Sequence, residues 1–310
     1  MRIVYMGTPD FAVAPLKALI ENNYDVAGVF TQPDKPVGRK AVLTPPPVKV
    51  AALENNIPVY QPESLKNGVG RDILTELKPD ICVVVAYGKI LPKDFLDYPK
   101  YGCINIHGSI LPEYRGAAPI QWSVLDGKEF AGVTSMQMDV GLDTGDILLV
   151  EKTTIGENET SGELYERLTV LGAEVLIKTL KSVEEGSLTP VKQDDSKSSY
   201  ASMLNKSMSL TDFNKSALEV HNKIRGLDPW PVVQTILEGK SLKLFKSSVR
   251  EDLGSGKPGE ALSLKEGLAV FCGDGKAVLI KEVQYEGKKR MNSADFLRGH
   301  PIKKCLILGS

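Results

Sequence analysis

The sharpest alternation of apolar and polar positions lies between Cys103 and His107, where Ile104 and Ile106 are set against Asn105 and His107. A period of two predicts a β-strand, and residues two apart on a strand share a face. An amide and an imidazole therefore point together into one space. Beyond Gly108 the pattern breaks into a loop carrying Pro112, Tyr114, Arg115, Gly116 and Pro119. A polar pair at the carboxyl end of a strand, followed by such a loop, is where open α/β sheets place ligands. A partly buried histidine satisfied by the backbone of an edge strand would leave the same pattern.

The neighbouring patterns supply a sheet for that strand. Residues 2–6 and 26–30 are short apolar runs. Between them come a Gly7-Thr8-Pro9 turn, Asp10 as the expected N-cap, and helical spacing of Phe11, Val13, Leu16, Leu19 and Ile20. This βαβ opening is a doubly wound signature. Gly7 stands alone, without a G-x-G-x-x-G run, so close packing of turn on helix explains it better than nucleotide binding. Residues 81–86 are continuously apolar, as in a central parallel strand covered on both faces. Residues 48–55, 71–77 and 116–125 read as helices, and 57–60, 133–138 and 147–152 as strands. A long amphipathic helix over 160–185 carries Leu164, Leu168, Leu171, Val175, Leu176 and Leu180. Between the last two strands, Asp139, Asp143 and Asp146 share a tight loop with Gly141 and Gly145. One carboxylate is available for chemistry while the others hold the turn. The acids lack the spacing of a calcium loop.

Residues 31–49 contain five prolines and a lone glycine, which predict irregular structure over most of the stretch. Lys35, Arg39, Lys40 and Lys49 outnumber Asp34 there. Such a loop after a strand's carboxyl end suits phosphate contact, or is a solvated surface loop. Residues 186–209 are polar and without periodicity, as in a linker. After it come a helix over 214–225, a Pro-rich turn over 228–231, and strand-like runs at 242–249, 268–272 and 277–283. These predict a small OB-like barrel. Lys288, Lys289 and Arg290 form a basic knot, and Ser293 is the expected cap of a last short helix. The domain reading is 1–186, an α/β domain; 187–209, a linker; and 210–310, the β domain.

Composition narrows the partners. The 310 residues suit two domains, and a net charge of −1 does not describe a general polyanion binder. The charge is uneven, however. Residues 207–310 hold 17 basic and 12 acidic side chains, and residues 1–206 hold 21 and 27. A basic C-terminal part hints at a polyanionic partner on that side, though ordinary surface scatter reaches the same size. Cys82 and Cys103 lie in apolar runs and are expected to be buried free thiols; no C-x-x-C pair occurs. His107, His221 and His300 lie in unrelated segments, so no metal site is expected. With no signal-peptide pattern and no bilayer-length apolar run, the cytoplasm is the expected compartment.

The motifs Asn105-Ile106-His107-Gly108-Ser109-Ile110-Leu111-Pro112, Tyr114-Arg115-Gly116 and Gly141-Leu142-Asp143-Thr144-Gly145-Asp146 together resemble the folate-dependent formyltransferases. Residues 6–11, 32–39, 43–49, 221–226, 229–231 and 287–291 resemble the branch that acts on methionyl-tRNA, and they extend the likeness over nearly the whole chain. The resemblance implies a Rossmann-like, mostly parallel α/β sheet followed by an OB-like, tRNA-binding barrel. It implies formyl transfer from 10-formyltetrahydrofolate to the α-amine of initiator methionyl-tRNA for translation initiation; nothing in the sequence forces a dimer, so a monomer is expected, and no metal is called for. Asn105, His107 and Asp143 become the catalytic residues. Ser109, Ile110, Leu111 and Pro112 become the folate-side loop, with Ile110 where the family more often has Leu. Arg39 becomes the foremost tRNA contact, with Lys35, Lys40 and Lys49 beside it and Lys288, Lys289 and Arg290 in the barrel. The N–H groups of Asn105 and His107 are expected to aim at one oxyanion, with Asp143 orienting His107, raising its basicity or relaying a proton. Two alternatives are a formyltransferase for a small amine, such as a sugar nucleotide or purine precursor, and a catalytically inactive RNA-binding protein. The complete Asn105, His107 and Asp143 set argues against the latter.

Overall fold

Continuous apolar sequence becomes a strand buried on both faces at Ile81–Val85, as expected for the middle of a parallel sheet. The computed structural model describes residues 1–310 apart from Arg39, Lys304 and Ser310. These residues divide into two units, the first made of 1–116, 131–153 and 165–201, the second of 117–130, 154–164 and 202–310. No helix among the described residues is long and apolar enough to cross a membrane.

The first unit is built on a seven-stranded sheet. Its order is Ile147–Thr154, Phe130–Gln137, Cys103–His107, Ile81–Val85, Arg2–Gly7, Asp25–Phe30 and Val59–Tyr60. The five strands from Cys103–His107 to Val59–Tyr60 pair in parallel, whereas Phe130–Gln137 runs antiparallel to Cys103–His107. The chain starts in the middle, builds outward to one edge and returns to build toward the other, which is the doubly wound topology. One face buries Val4, Met6, Phe30, Leu74, Val84 and Phe95 in a common core. Helix Ser161–Glu185 buries Leu168, Val175, Leu176 and Leu180. A Cβ on its Gly172 would lie 3.4 Å from the Ile106 side chain, so this helix passes close over the apolar side of Cys103–His107. Cys82 and Cys103 are register partners on neighbouring strands, and both are free, buried thiols.

Several local expectations are corrected. Asp10 does not cap a helix: Pro9 holds the cap position, a 3-10 turn Asp10–Ala12 intervenes, and the α-helix begins at Val13. The proline-rich 31–49 stretch is not irregular throughout. Lys35–Val37 and Val42–Thr44 form an antiparallel ribbon, with Pro36 opposite Leu43. A two-stranded ribbon is all edge, where a missing proline N–H is tolerated. The polar stretch read as a linker is tied into the first unit as far as Ala201. Val191 exchanges two 2.8 Å backbone hydrogen bonds with Ile147, and Tyr200–Ala201 pairs in parallel with Arg115–Gly116.

The second unit carries an antiparallel sheet in the order Val233–Leu237, Lys240–Arg250, Ala277–Tyr285, Gly267–Phe271, Ala261–Leu264, with Met291–Asn292 also paired to Ala277–Tyr285. The C-terminal residues join its two edges. Ala261 N–H donates to the Leu306 carbonyl at 2.9 Å and Leu308 N–H to Gly259 at 2.8 Å, while Gly309 N–H reaches the Ile236 carbonyl at 3.3 Å. Helix Ala217–Gly226 starts at a capping box of Ser216 and Glu219 and buries Val220 and Ile224 against Leu242, Leu244, Val278 and Ile280. Ser293 is not the cap of the last helix; Asn292 is, and the buried Ser293 hydroxyl donates to the Ile280 carbonyl at 2.5 Å.

Gly7 has the packing role. An added Cβ would lie 2.6 Å from the Ala12 Cβ and 3.1 Å from the Val85 carbonyl oxygen. Replacing it with alanine is expected to destabilise the fold by about 1–3 kcal/mol through overpacking. Urea denaturation measures this, and an unchanged midpoint would remove the packing explanation.

Candidate active site

Burial of Ile104 and Ile106 sets which way the other face of Cys103–His107 looks, because a one-residue slip would exchange the faces. Asn105 and His107 consequently leave the strand together. The loop over 139–146 brings Asp143 to meet them. Asn105 Nδ2 lies 3.4 Å from Asp143 Oδ1, and His107 Nδ1 lies 3.8 Å from Asp143 Oδ2. The Gly116 N–H donates to Asp143 Oδ2 at 2.8 Å. His107 and Asp143 side chains are 7% and 12% exposed, so this small cluster is largely withdrawn from water.

The ring nitrogens of His107 have different duties. Nε2 lies 2.9 Å from the Tyr114 carbonyl oxygen, an acceptor only, so Nε2 carries the proton. Nδ1 then holds a lone pair in the neutral ring and gains a proton only in the imidazolium. The free imidazole N–H expected to aim at an oxyanion is then offered only by the imidazolium. In the neutral ring the single N–H is engaged by the backbone, and the nitrogen that faces Asp143 is a base.

The supporting loops are held by polar side chains. Asp139 Oδ1 accepts from Gly141 N–H at 2.9 Å and Thr144 Oγ1 at 2.7 Å, closing the turn and leaving Asp143 to face the strand. Asp143 (φ 53°) and Tyr114 (φ 60°) both adopt left-handed backbone conformations. In the loop of Ser109, Ile110, Leu111 and Pro112, Ser109 Oγ donates to the Glu113 carbonyl at 2.7 Å. Thr134 Oγ1 donates to the Ser109 carbonyl at 2.7 Å and accepts from Leu111 N–H at 3.1 Å. Ser109 and Leu111 are buried, while Ile110 and Pro112 are half-buried.

Two family matches cover most of the chain: residues 1–180 match formyl transferase, and residues 203–301 match the formyl transferase C-terminal domain. The chain belongs to the formyl transferase family. Methionyl-tRNA formyltransferase of Lachnospira eligens is 50% identical over 315 residues, covering 100% of both chains. That of Alkaliphilus metalliredigens is 50% identical over 310 residues, covering 100% of this chain and 98% of the relative. Among solved structures, the sugar 3N-formyltransferase WlaRD, determined with dTDP and 5-N-formyl-THF, aligns with a TM-score of 0.69 at 22% identity, covering 93% of this chain and 99% of its own. At that identity the likeness is one of fold.

The basic residues named from the formyl transferase motifs are placed unequally. Lys35 and Lys40 are exposed on and beside the ribbon, and Arg39 lies outside the described residues. Lys49 is engaged by both carboxylate oxygens of Asp34 at 2.9 Å. That lysine and Gln61 hold the Asp34 carboxyl below its ordinary range, with the Gln61 hydrogen bond the larger cause. Lys288 and Lys289 are exposed. Arg290 pairs with Glu282 at 2.6 Å and stacks 3.9 Å from the centre of the Phe245 ring. Sequence reasoning missed Thr134, Gln193 and Ser199, which all bond the site loops; Thr134 was visible only as part of the strand over 133–138, and Gln193 and Ser199 sit in no motif or periodic run.

Thr134→Val keeps the side chain's shape but leaves the Leu111 N–H and Ser109 carbonyl without their partner. The expected loss is about 1–3 kcal/mol of stability, the cost of stranding buried polar groups. Urea unfolding checks it; a loss below a few tenths would mean water replaces the hydroxyl.

Proposed function

We propose that this formyl transferase moves the formyl group of 10-formyltetrahydrofolate onto the α-amine of initiator methionyl-tRNA, giving N-formylmethionyl-tRNA for translation initiation. The observation that carries the chemistry is the meeting of Asn105, His107 and Asp143 at one point. Identity of 50% over full length to methionyl-tRNA formyltransferases supports the acceptor.

Formyl transfer needs no enzyme nucleophile, because the substrate amine is one. The amine nitrogen attacks the formyl carbon, and a C–N bond forms as the carbonyl oxygen takes the displaced electron pair. The nitrogen then sheds a proton, the bond from carbon to folate N10 breaks, and N10 takes up a proton. His107 Nδ1 is the base that receives the amine proton, since Nε2–H is held by Tyr114. Asp143 stabilises the imidazolium so formed, and the charged ring can return its new proton to N10. Asn105 Nδ2, only loosely held at 3.4 Å, is free to donate to the oxyanion. The 109–112 loop borders the folate substrate; with Ser109 and Leu111 turned inward, Ile110, Pro112 and the backbone are what it presents. Exposed Lys35, Lys40, Lys288 and Lys289, with Arg39, contribute phosphate contacts.

Incubation with labelled formyl donor and a panel of aminoacylated and uncharged tRNAs tests the assignment. Label on methionyl-tRNA alone is the expected result; label on a small amine in its place overturns the acceptor. Asn105→Ala, His107→Ala and Asp143→Ala are each expected to fold and to lose about a hundredfold or more in kcat. Near-normal turnover in all three would end this site assignment. Joint replacement of Lys35 and Lys40 by alanine should raise KM for tRNA, lessen its salt dependence and leave KM for the formyl donor unchanged. Equal effects on both substrates would make the ribbon a scaffold.

A further inference from the structure

We propose that Gln193 is a positioning residue for the Asp143 carboxylate, acting from the polar stretch between the two family matches. The proposal rests on the reading of Asp143 as a catalytic group. Gln193 is buried, and its amide is fully used. Nε2 donates to the Asp143 carbonyl at 2.9 Å and to the Gly145 carbonyl at 2.7 Å. Oε1 accepts from Arg115 Nε at 3.1 Å and Nη2 at 2.8 Å. The arginine has only donors, so it fixes which end of the amide is oxygen and turns the NH₂ group onto the two carbonyls.

These bonds close a ring. The Asp143 carboxylate is held by the Gly116 N–H; Gly116 follows Arg115; Arg115 grips Gln193; and Gln193 grips the Asp143 backbone. The ring matters because Asp143 sits at φ 53°, in the left-handed region, which a residue other than glycine occupies at some cost and which the surrounding bonds hold in place. The amide makes these bonds without adding a charge of its own. Ser199 steadies the facing loop in the same way: its hydroxyl accepts from Tyr114 N–H at 2.9 Å, and its carbonyl from Arg115 N–H at 2.9 Å.

Two variants separate the arms of Gln193. Gln193→Met removes every bond. Gln193→Glu keeps the acceptor for Arg115 but sets a carboxylate oxygen against the Asp143 and Gly145 carbonyls. Both are expected to lose about tenfold to a hundredfold in kcat, the cost of misplacing a reacting group by about an ångström. KM for tRNA and for the formyl donor should stay within about twofold, a split that a general loss of structure would not give. Asp195→Ala, which cuts only the exposed arm of the Arg115 network, should leave kcat unchanged. Should the Met variant fail to fold, the Glu variant carries the test. Normal kcat in Gln193→Glu, while Asp143→Ala is inactive, overturns the proposal and leaves the site reading standing. Normal kcat in Asp143→Ala overturns both.

Discussion

A carboxylate removed from water has to be matched by donors or by opposite charge, and the first unit is arranged around meeting that need for Asp143. The backbone N–H of Gly116 is its shortest partner, at 2.8 Å. That N–H is in place because Arg115–Gly116 pairs with Tyr200–Ala201, and the pairing is close enough to require glycine. At Gly116 (φ 112°) an added Cβ would stand 2.8 Å from the Ala201 carbonyl oxygen and 2.6 Å from the Tyr200 ring. The strand that presents Asn105 and His107, the loop that carries Asp143 and the stretch near residue 200 therefore depend on one another. Each is short, and none would hold its geometry alone.

The parts legible in sequence are those written as periodicity. The alternation of residues 103–107 places two polar side chains on one face, and the unbroken apolar run at 81–85 marks the covered strand; both hold in the fold. The Asp-rich loop was legible as a turn with a spare carboxylate, although only the structure assigns Asp139 to the turn. The contacts of Gln193 were not legible. They join residues 78 and about 50 positions apart through side-chain hydrogen bonds alone, and an isolated glutamine in a polar stretch looks like solvated surface. The role of each His107 nitrogen was equally hidden, because it is set by the carbonyl of a residue that has left the strand.

Charge was legible as a count but not as a set of partners. Lys49 and Arg290 carry the same sign as Lys35 and Lys288, yet Asp34 and Glu282 already satisfy the first two. A cation held in this way contributes to the fold before it contributes to any encounter with a polyanion. Pairs such as Arg250 with Asp252 and Glu266 likewise remove a cation from those free to meet a partner, while the net excess over residues 207–310 stays the same.

The backbone bonds made by Leu306, Leu308 and Gly309 across the two margins of the antiparallel sheet also bear on solubility. An uncovered margin is a row of unmatched donors and acceptors on which a strand from another molecule can add, and aggregation starts readily there. With one short segment bonded to both margins, the second unit offers little such template. Its protection against self-association thus rests on a few residues with no part in the chemistry, joined on the outer strand by Leu210 and Thr211, which pair with Gln234.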